Sequence, residues 1–110
     1  MTKEMNTSFK NSYHHWTQRE SIIDKQLYSK LLNWTSGEFD LYLQDEANGL
    51  EVFFPKGKLS IKTIKERKKD ILIEINIKSK DLSIMNTIGN QIISIYNQIE
   101  RIYFKPIVKL

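Results

Sequence analysis

Cysteine is missing from all 110 residues of the chain. That excludes disulfides, thiolate catalysis and every cysteine-ligated zinc or iron–sulfur site. Glycine is scarce as well, and Gly37, Gly49, Gly57 and Gly89 stand far apart. No glycine-rich phosphate loop can be assembled from them. Long apolar runs are absent too: runs such as Ile71-Leu72-Ile73 are far short of the roughly 20 residues that cross a bilayer. The first fifteen residues are polar and lack the apolar stretch of a secretory leader. These absences point to a cytoplasmic protein with no membrane contact, no cofactor and no metal.

What is present is ordinary for one globular domain: 40% hydrophobic and 27% charged residues in 13.1 kDa. A chain of this size buries about two-thirds of its unfolded surface, enough for one modest core. The net charge of +4 is unevenly spread. Residues 36–55 hold Glu38, Asp40, Asp45, Glu46 and Glu51 and no lysine or arginine. Residues 56–80 hold nine basic side chains against three acidic ones. If each block maps to a face, the molecule is electrically two-sided and steers charged partners. Isoleucine (16), lysine (14) and asparagine (8) dominate the composition, a bias typical of an AT-rich genome, so part of the lysine excess reflects codon usage.

Periodicity then divides the chain. Residues 1–16 read as a polar, flexible tail with isolated aromatics, and residues 17–110 as the domain. Thr17-Gln18-Arg19-Glu20 has the capping-box form and predicts a helix start. Ile23, Leu27, Leu31 and Trp34 continue it as one apolar stripe, and Ser36-Gly37 ends it. From residue 38 the period becomes two: Phe39, Leu41 and Leu43 alternate with polar residues and predict a strand with those three buried. Asn48-Gly49 marks a turn into a strand over Leu50–Phe54. Pro55-Lys56-Gly57-Lys58 marks another, with glycine supplying positive φ. Strands over residues 59–64 and 71–78 follow, flanking a charged loop at 65–70. In the last of these strands Ile71, Ile73, Ile75 and Ile77 face inward.

Met85, Ile88, Ile92, Ile95, Ile99 and Ile102 then step by three and four, a core-facing helical seam, with Asp81 or Ser83 as its cap. Gly89 inside it marks a close helix–sheet contact. Pro106 breaks this pattern, and Tyr103-Phe104 with Ile107-Val108 on either side of it can add an edge strand. The expected fold is α+β: a four- or five-stranded antiparallel meander with two helices on one face.

Chemistry-bearing clusters are few. His14-His15 is the sole histidine pair. A metal site would need a third ligand, and adjacent residues of an extended chain point apart; a Ser–His–Asp arrangement would have to hold its geometry in a flexible tail. Glu38 and Asp40 share an outward strand face in this reading, as solvated carboxylates do. The chain reads as not an enzyme. Its best working feature is the basic loop Lys65, Arg67, Lys68 and Lys69, with Lys56 and Lys58 expected at the opposite end and Tyr42 and Phe53 as outward aromatics for stacking; such residues engage phosphates.

The expected order over residues 17–102 resembles the α–β–β–β–α order of the double-stranded RNA-binding domain, with one extra strand. Lys78-Ser79-Lys80 lies just before the second helix, although Asp81-Leu82-Ser83-Ile84 replaces the lysine cluster that opens that helix in the family. A second resemblance rests on Gly37-Glu38-Phe39-Asp40-Leu41-Tyr42-Leu43, and on Ile75-Asn76-Ile77-Lys78-Ser79-Lys80-Asp81-Leu82 running into a helix that ends Ile99-Glu100-Arg101-Ile102. These stretches are similar to small phage anti-CRISPR proteins that inhibit type II effectors. The basic N-terminal arm of such an inhibitor is not reproduced, since residues 1–16 carry only Lys3 and Lys10.

The resemblance implies a non-catalytic inhibitor of a phage or mobile element, acting as monomer or dimer in the cytoplasm of a bacterial host. Its partner would be a large protein or ribonucleoprotein such as a CRISPR effector. Glu38, Asp40, Asp45, Glu46 and Glu51 would be an acidic partner face mimicking phosphate charge. The alternatives are a direct nucleic-acid binder using the basic 56–69 region, and an immunity or antitoxin-like partner of a small toxin.

Overall fold

A computed structural model describes residues 12–103. The elements in chain order are β1 (His14–Ile22), α1 (Lys25–Glu38), β2 (Leu43–Asp45), β3 (Leu50–Phe54), β4 (Gly57–Glu66), β5 (Ile71–Ser79) and α2 (Leu82–Tyr103). The five strands form one antiparallel sheet in the order β1-β5-β4-β3-β2. Strands β2 to β5 are the expected meander. Helix α1 carries the chain from β1 at one edge to β2 at the other, and both helices pack on one face: an α+β fold, as its patterning predicts.

Strand β5 is the centre of the core. Ile73, Ile75 and Ile77 are fully buried and Ile71 is nearly so, because every second residue faces the helices. They meet Leu59 and Ile61 of β4, Leu50 and Val52 of β3, and the stripe Met85, Ile88, Ile92, Ile95 and Ile99 of α2. Each such side chain contributes about 1.5–3 kcal/mol by leaving water. The stripe stops at Ile99, for Ile102 is 56% exposed. Asp81 is the cap: its Oδ1 accepts from the amides of Ser83 (2.9 Å) and Ile84 (3.2 Å). Tyr96, also buried, faces Glu100 at 3.2 Å and Glu20 at 3.4 Å. Burial first, and the two carboxylates second, push its phenol well above the ordinary value.

Several expectations are corrected. Residues 14–22 are a strand, not tail and helix start. The spacing of three that lets Thr17 and Glu20 cap a helix puts them on opposite faces of a strand. Thr17 Oγ1 accepts from Asn76 at 2.8 Å, while Glu20 turns to Tyr96. Nine residue pairs with β5 outweigh one local cap. Helix α1 therefore starts later, at Lys25, where Asp24 Oδ1 accepts from the Leu27 amide at 2.9 Å. Ile23 lies before it and is 49% exposed. Gly37 lies inside the helix rather than ending it.

The alternating segment at 38–44 is not a strand throughout. Phe39 is buried as expected, but as the helix C-cap, its amide bonded to Thr35 O at 3.1 Å. Leu41 and Leu43 are 94% and 75% exposed. Gln44 reaches back to the carbonyls of Phe39 (2.8 Å) and Ser36 (3.1 Å), so it satisfies the end of α1, and of this segment only Leu43 and Gln44 join the sheet, as the start of β2.

In the β3–β4 turn the positive φ belongs to Lys56 (70°), not to Gly57. Gly57 is required for another reason: a Cβ there would sit 2.2 Å from the Lys78 carbonyl oxygen and 2.7 Å from the Phe54 ring. At Gly89 a Cβ would meet Ile77 Cδ1 at 3.7 Å, an ordinary contact, so that position holds no unusually close helix–sheet approach. Tyr103 ends α2, and the rest of the edge strand expected there lies outside the described residues, as do residues 1–11 of the tail.

Candidate nucleic-acid interface

Among the described residues, none covers the face of the sheet opposite the helices. Strand register assigns its side chains to transverse rows. The first row runs His15, Lys78, Lys58, Phe53, Leu43 across β1, β5, β4, β3 and β2. The second runs Thr17, Asn76, Ser60, Glu51, Asp45, and the third Arg19, Glu74, Lys62. A bulge between Thr63 and Lys65 brings Lys65 onto this face opposite Leu72.

The lower rows neutralise themselves. Arg19 pairs with Glu74 at 3.2 Å, and Glu51 receives Lys58 at 3.3 Å and Lys62 at 3.8 Å. The first row is neutralised only at Lys58, since Lys78 has no carboxylate within 4 Å among the described residues. Lys78 stands directly opposite Lys58, and like charges so placed destabilise a sheet by about 0.2–1 kcal/mol. Two exposed aromatics frame the pair. Lys78 Nζ and Lys80 Nζ lie 4.9 and 5.5 Å from the ring centre of Tyr13, and Lys58 Nζ lies 5.8 Å from that of Phe53. Lys56 joins this end of the sheet, its carbonyl accepting from the Lys80 amide at 2.9 Å.

The basic residues singled out in the sequence divide between two ends of β4. Lys56 and Lys58 belong to the aromatic end. Lys65, Lys68 and Lys69 lie at the other, all exposed and with no carboxylate within 4 Å among the described residues. Arg67 is taken up by Asp70, with bonds of 2.6 and 2.8 Å. That bond, with one from Ser21, holds the Asp70 carboxyl below its ordinary value, and raises Arg67.

The acidic set does not form one face. Glu51 and Asp45 share the second row of the open face, and Asp45 also caps the Ala47 amide at 2.9 Å. Glu38 ends α1 and accepts from Gln91 of α2 at 3.3 Å, on the helix side. Asp40 is exposed in the turn that follows, so it shares no strand face with Glu38. Glu46 lines a cleft against Tyr28 and Leu32 of α1. Chain neighbours diverge here because helix end, turn and strand point their side chains differently. Phe53 is outward as expected, whereas Tyr42 packs on the helix side, its ring 6.3 Å from Phe39 and 6.4 Å from Phe54.

Sequence reasoning did not bring Tyr13, His15 and Lys78 together, because residues 1–16, which include the neighbours of Lys78 on β1, read as tail. His14 and His15 are successive strand residues and point to opposite faces. No protein-family model matches the chain, and no match is found among curated proteins. Among the described residues, no helix is long and apolar enough to cross a membrane.

Proposed function

We propose that the protein is a non-catalytic nucleic-acid-binding protein whose contact surface is the aromatic end of the open sheet face. The observation that carries this reading is the row His15–Lys78–Lys58–Phe53. It sets Lys78, which has no carboxylate within 4 Å among the described residues, beside Lys58 and between two exposed rings on one open face, an arrangement that suits phosphates. The test compares two variants: Lys58→Gln with Lys78→Gln, and Lys65→Gln with Lys68→Gln and Lys69→Gln. The first should weaken oligonucleotide binding by about 25-fold, at roughly fivefold per lost phosphate contact near 0.1 M salt. The second should weaken it only a fewfold, through long-range charge. The reverse ranking would move the site to the β4–β5 turn.

A second reading, an inhibitor of a CRISPR effector as the phage resemblance implies, draws on the opposite sheet edge. Leu41 and Leu43 are 94% and 75% exposed beside Asp45 and Glu46. Exposed leucines suit a protein partner and offer nothing to phosphates. Pull-down of a purified type II effector, abolished by Leu41→Glu with Leu43→Glu and spared by the Lys58/Lys78 change, would favour it.

A further inference from the structure

We infer that the ligand of this face is single-stranded and that Tyr13 and Phe53 each stack one of its bases. This rests on the nucleic-acid reading and names its substrate class. The two rings are 38% and 37% exposed on a face that carries mostly polar side chains. Neither lies in the helix-side core, so their exposed area is available to a partner. Each already has ammonium groups at its face: Lys78 and Lys80 at Tyr13, Lys58 at Phe53. A base laid on such a ring brings its own phosphates beside those lysines, so stacking and charge pairing are made together. A duplex has its bases already stacked and paired, and can offer this face phosphates only. Charge complementarity thus selects a polyanion, and the two rings select one with free bases.

The spacing sets a length. Phe53 on β3 and the β1 row are three strand intervals apart, about 14 Å at ~4.8 Å each. Tyr13 lies two residues beyond His15, a further step of about 6.6 Å along the strand at ~3.3 Å per residue. The diagonal is about 16 Å. A strand advancing about 3.4 Å per stacked nucleotide covers that in four to five nucleotides, and in fewer where bases are splayed. The rings therefore hold the two ends of one short segment, with Lys58 and Lys78 beneath its middle.

The experiment is fluorescence anisotropy of the full chain with labelled oligouridine and oligothymidine of two to twelve nucleotides, and with a twelve-base-pair duplex. Affinity should climb steeply up to about five nucleotides and flatten beyond, with the single strands binding at least tenfold more tightly than the duplex. Tyr13→Ala and Phe53→Ala should each weaken single-strand binding at least fivefold and leave duplex binding unchanged. Tyr13→Phe should retain it, and thermal melts check that each variant is folded. Salt-sensitive binding that is equal for duplex and single strand, and indifferent to both alanine changes, would overturn the stacking inference while leaving the broader reading in place. No binding to any of these oligonucleotides would overturn both.

Discussion

Replacing Lys78 by glutamine separates what the open face does for stability from what it does for binding. In the free protein Lys78 is repelled by Lys58, directly opposite on β4, a loss of about 0.2–1 kcal/mol. It is also attracted to the Tyr13 ring, 4.9 Å away, a gain of about 0.5–1 kcal/mol at an exposed site. The two nearly cancel. Lys78→Gln should therefore change stability by less than about 0.5 kcal/mol, a melting shift within roughly 3 °C for a domain of this size. Binding is a different matter. One phosphate contact contributes about 0.7 to the slope of log affinity against log salt, which at 0.1 M is roughly fivefold in affinity. Urea unfolding reads the first quantity, and anisotropy over a salt series reads the second. A variant as stable as wild type, five times weaker in binding and shallower in slope by about 0.7 is the expected outcome. Unchanged affinity and slope would show that Lys78 touches no phosphate, and would remove the row from the site.

Other changes test the fold that presents this face. Thr35 is fully buried in α1 and its Oγ1 has no hydrogen-bond partner among the described residues, so Thr35→Val should raise the melting temperature by roughly 4 °C, about 1 kcal/mol of relieved desolvation; a fall would reveal a partner for the hydroxyl. Gly89→Ala should stabilise by about 0.5–1 kcal/mol, since the new Cβ meets Ile77 at ordinary contact distance and alanine favours the helix. Destabilisation in chemical denaturation would mean that α2 and β5 lie closer than described. Asp70 titrates below its ordinary value of 3.8 because Arg67 and then Ser21 bond its charged form. Its contribution to stability is therefore full above that pH and fades as pH falls through the lowered value. Asp70→Asn should flatten the acid limb of a urea-midpoint profile below about pH 4, and an unaltered limb would place the acid sensitivity elsewhere.

The sequence revealed most where patterns were local and long. The isoleucine alternation of β5, the bounds of β3 and the seam of α2 are readable because one buried face repeats over whole elements. Strand β1 was not, because its inward positions include Gln18 and Glu20, which erase the apolar alternation. Inward polar groups on an edge strand discourage pairing with other chains, and the same feature makes the strand hard to see. Its partner β5 lies some fifty residues away, so nothing local opposes the Thr17–Glu20 capping pattern. The segment at 38–43 misled in the opposite direction, since Phe39, Leu41 and Leu43 alternate by chance across a helix end and a turn. These two elements decided how much of the site was visible. Lys58 and Phe53 followed from the β3–β4 hairpin, but Tyr13, His15 and the role of Lys78 depend on β1 lying beside β5.

The most direct test of the account is the salt dependence of binding by the unmodified protein, measured by anisotropy with a labelled twelve-nucleotide single strand. With Lys56, Lys58, Lys78 and Lys80 as phosphate partners, log affinity should fall linearly with log salt at a slope of about −3. Affinity should then drop about fifty-fold between 50 and 200 mM. No binding at 50 mM salt with protein up to roughly 100 μM, a range that includes even weak non-specific binders, would contradict the account and make the lysines of this face a solvated surface.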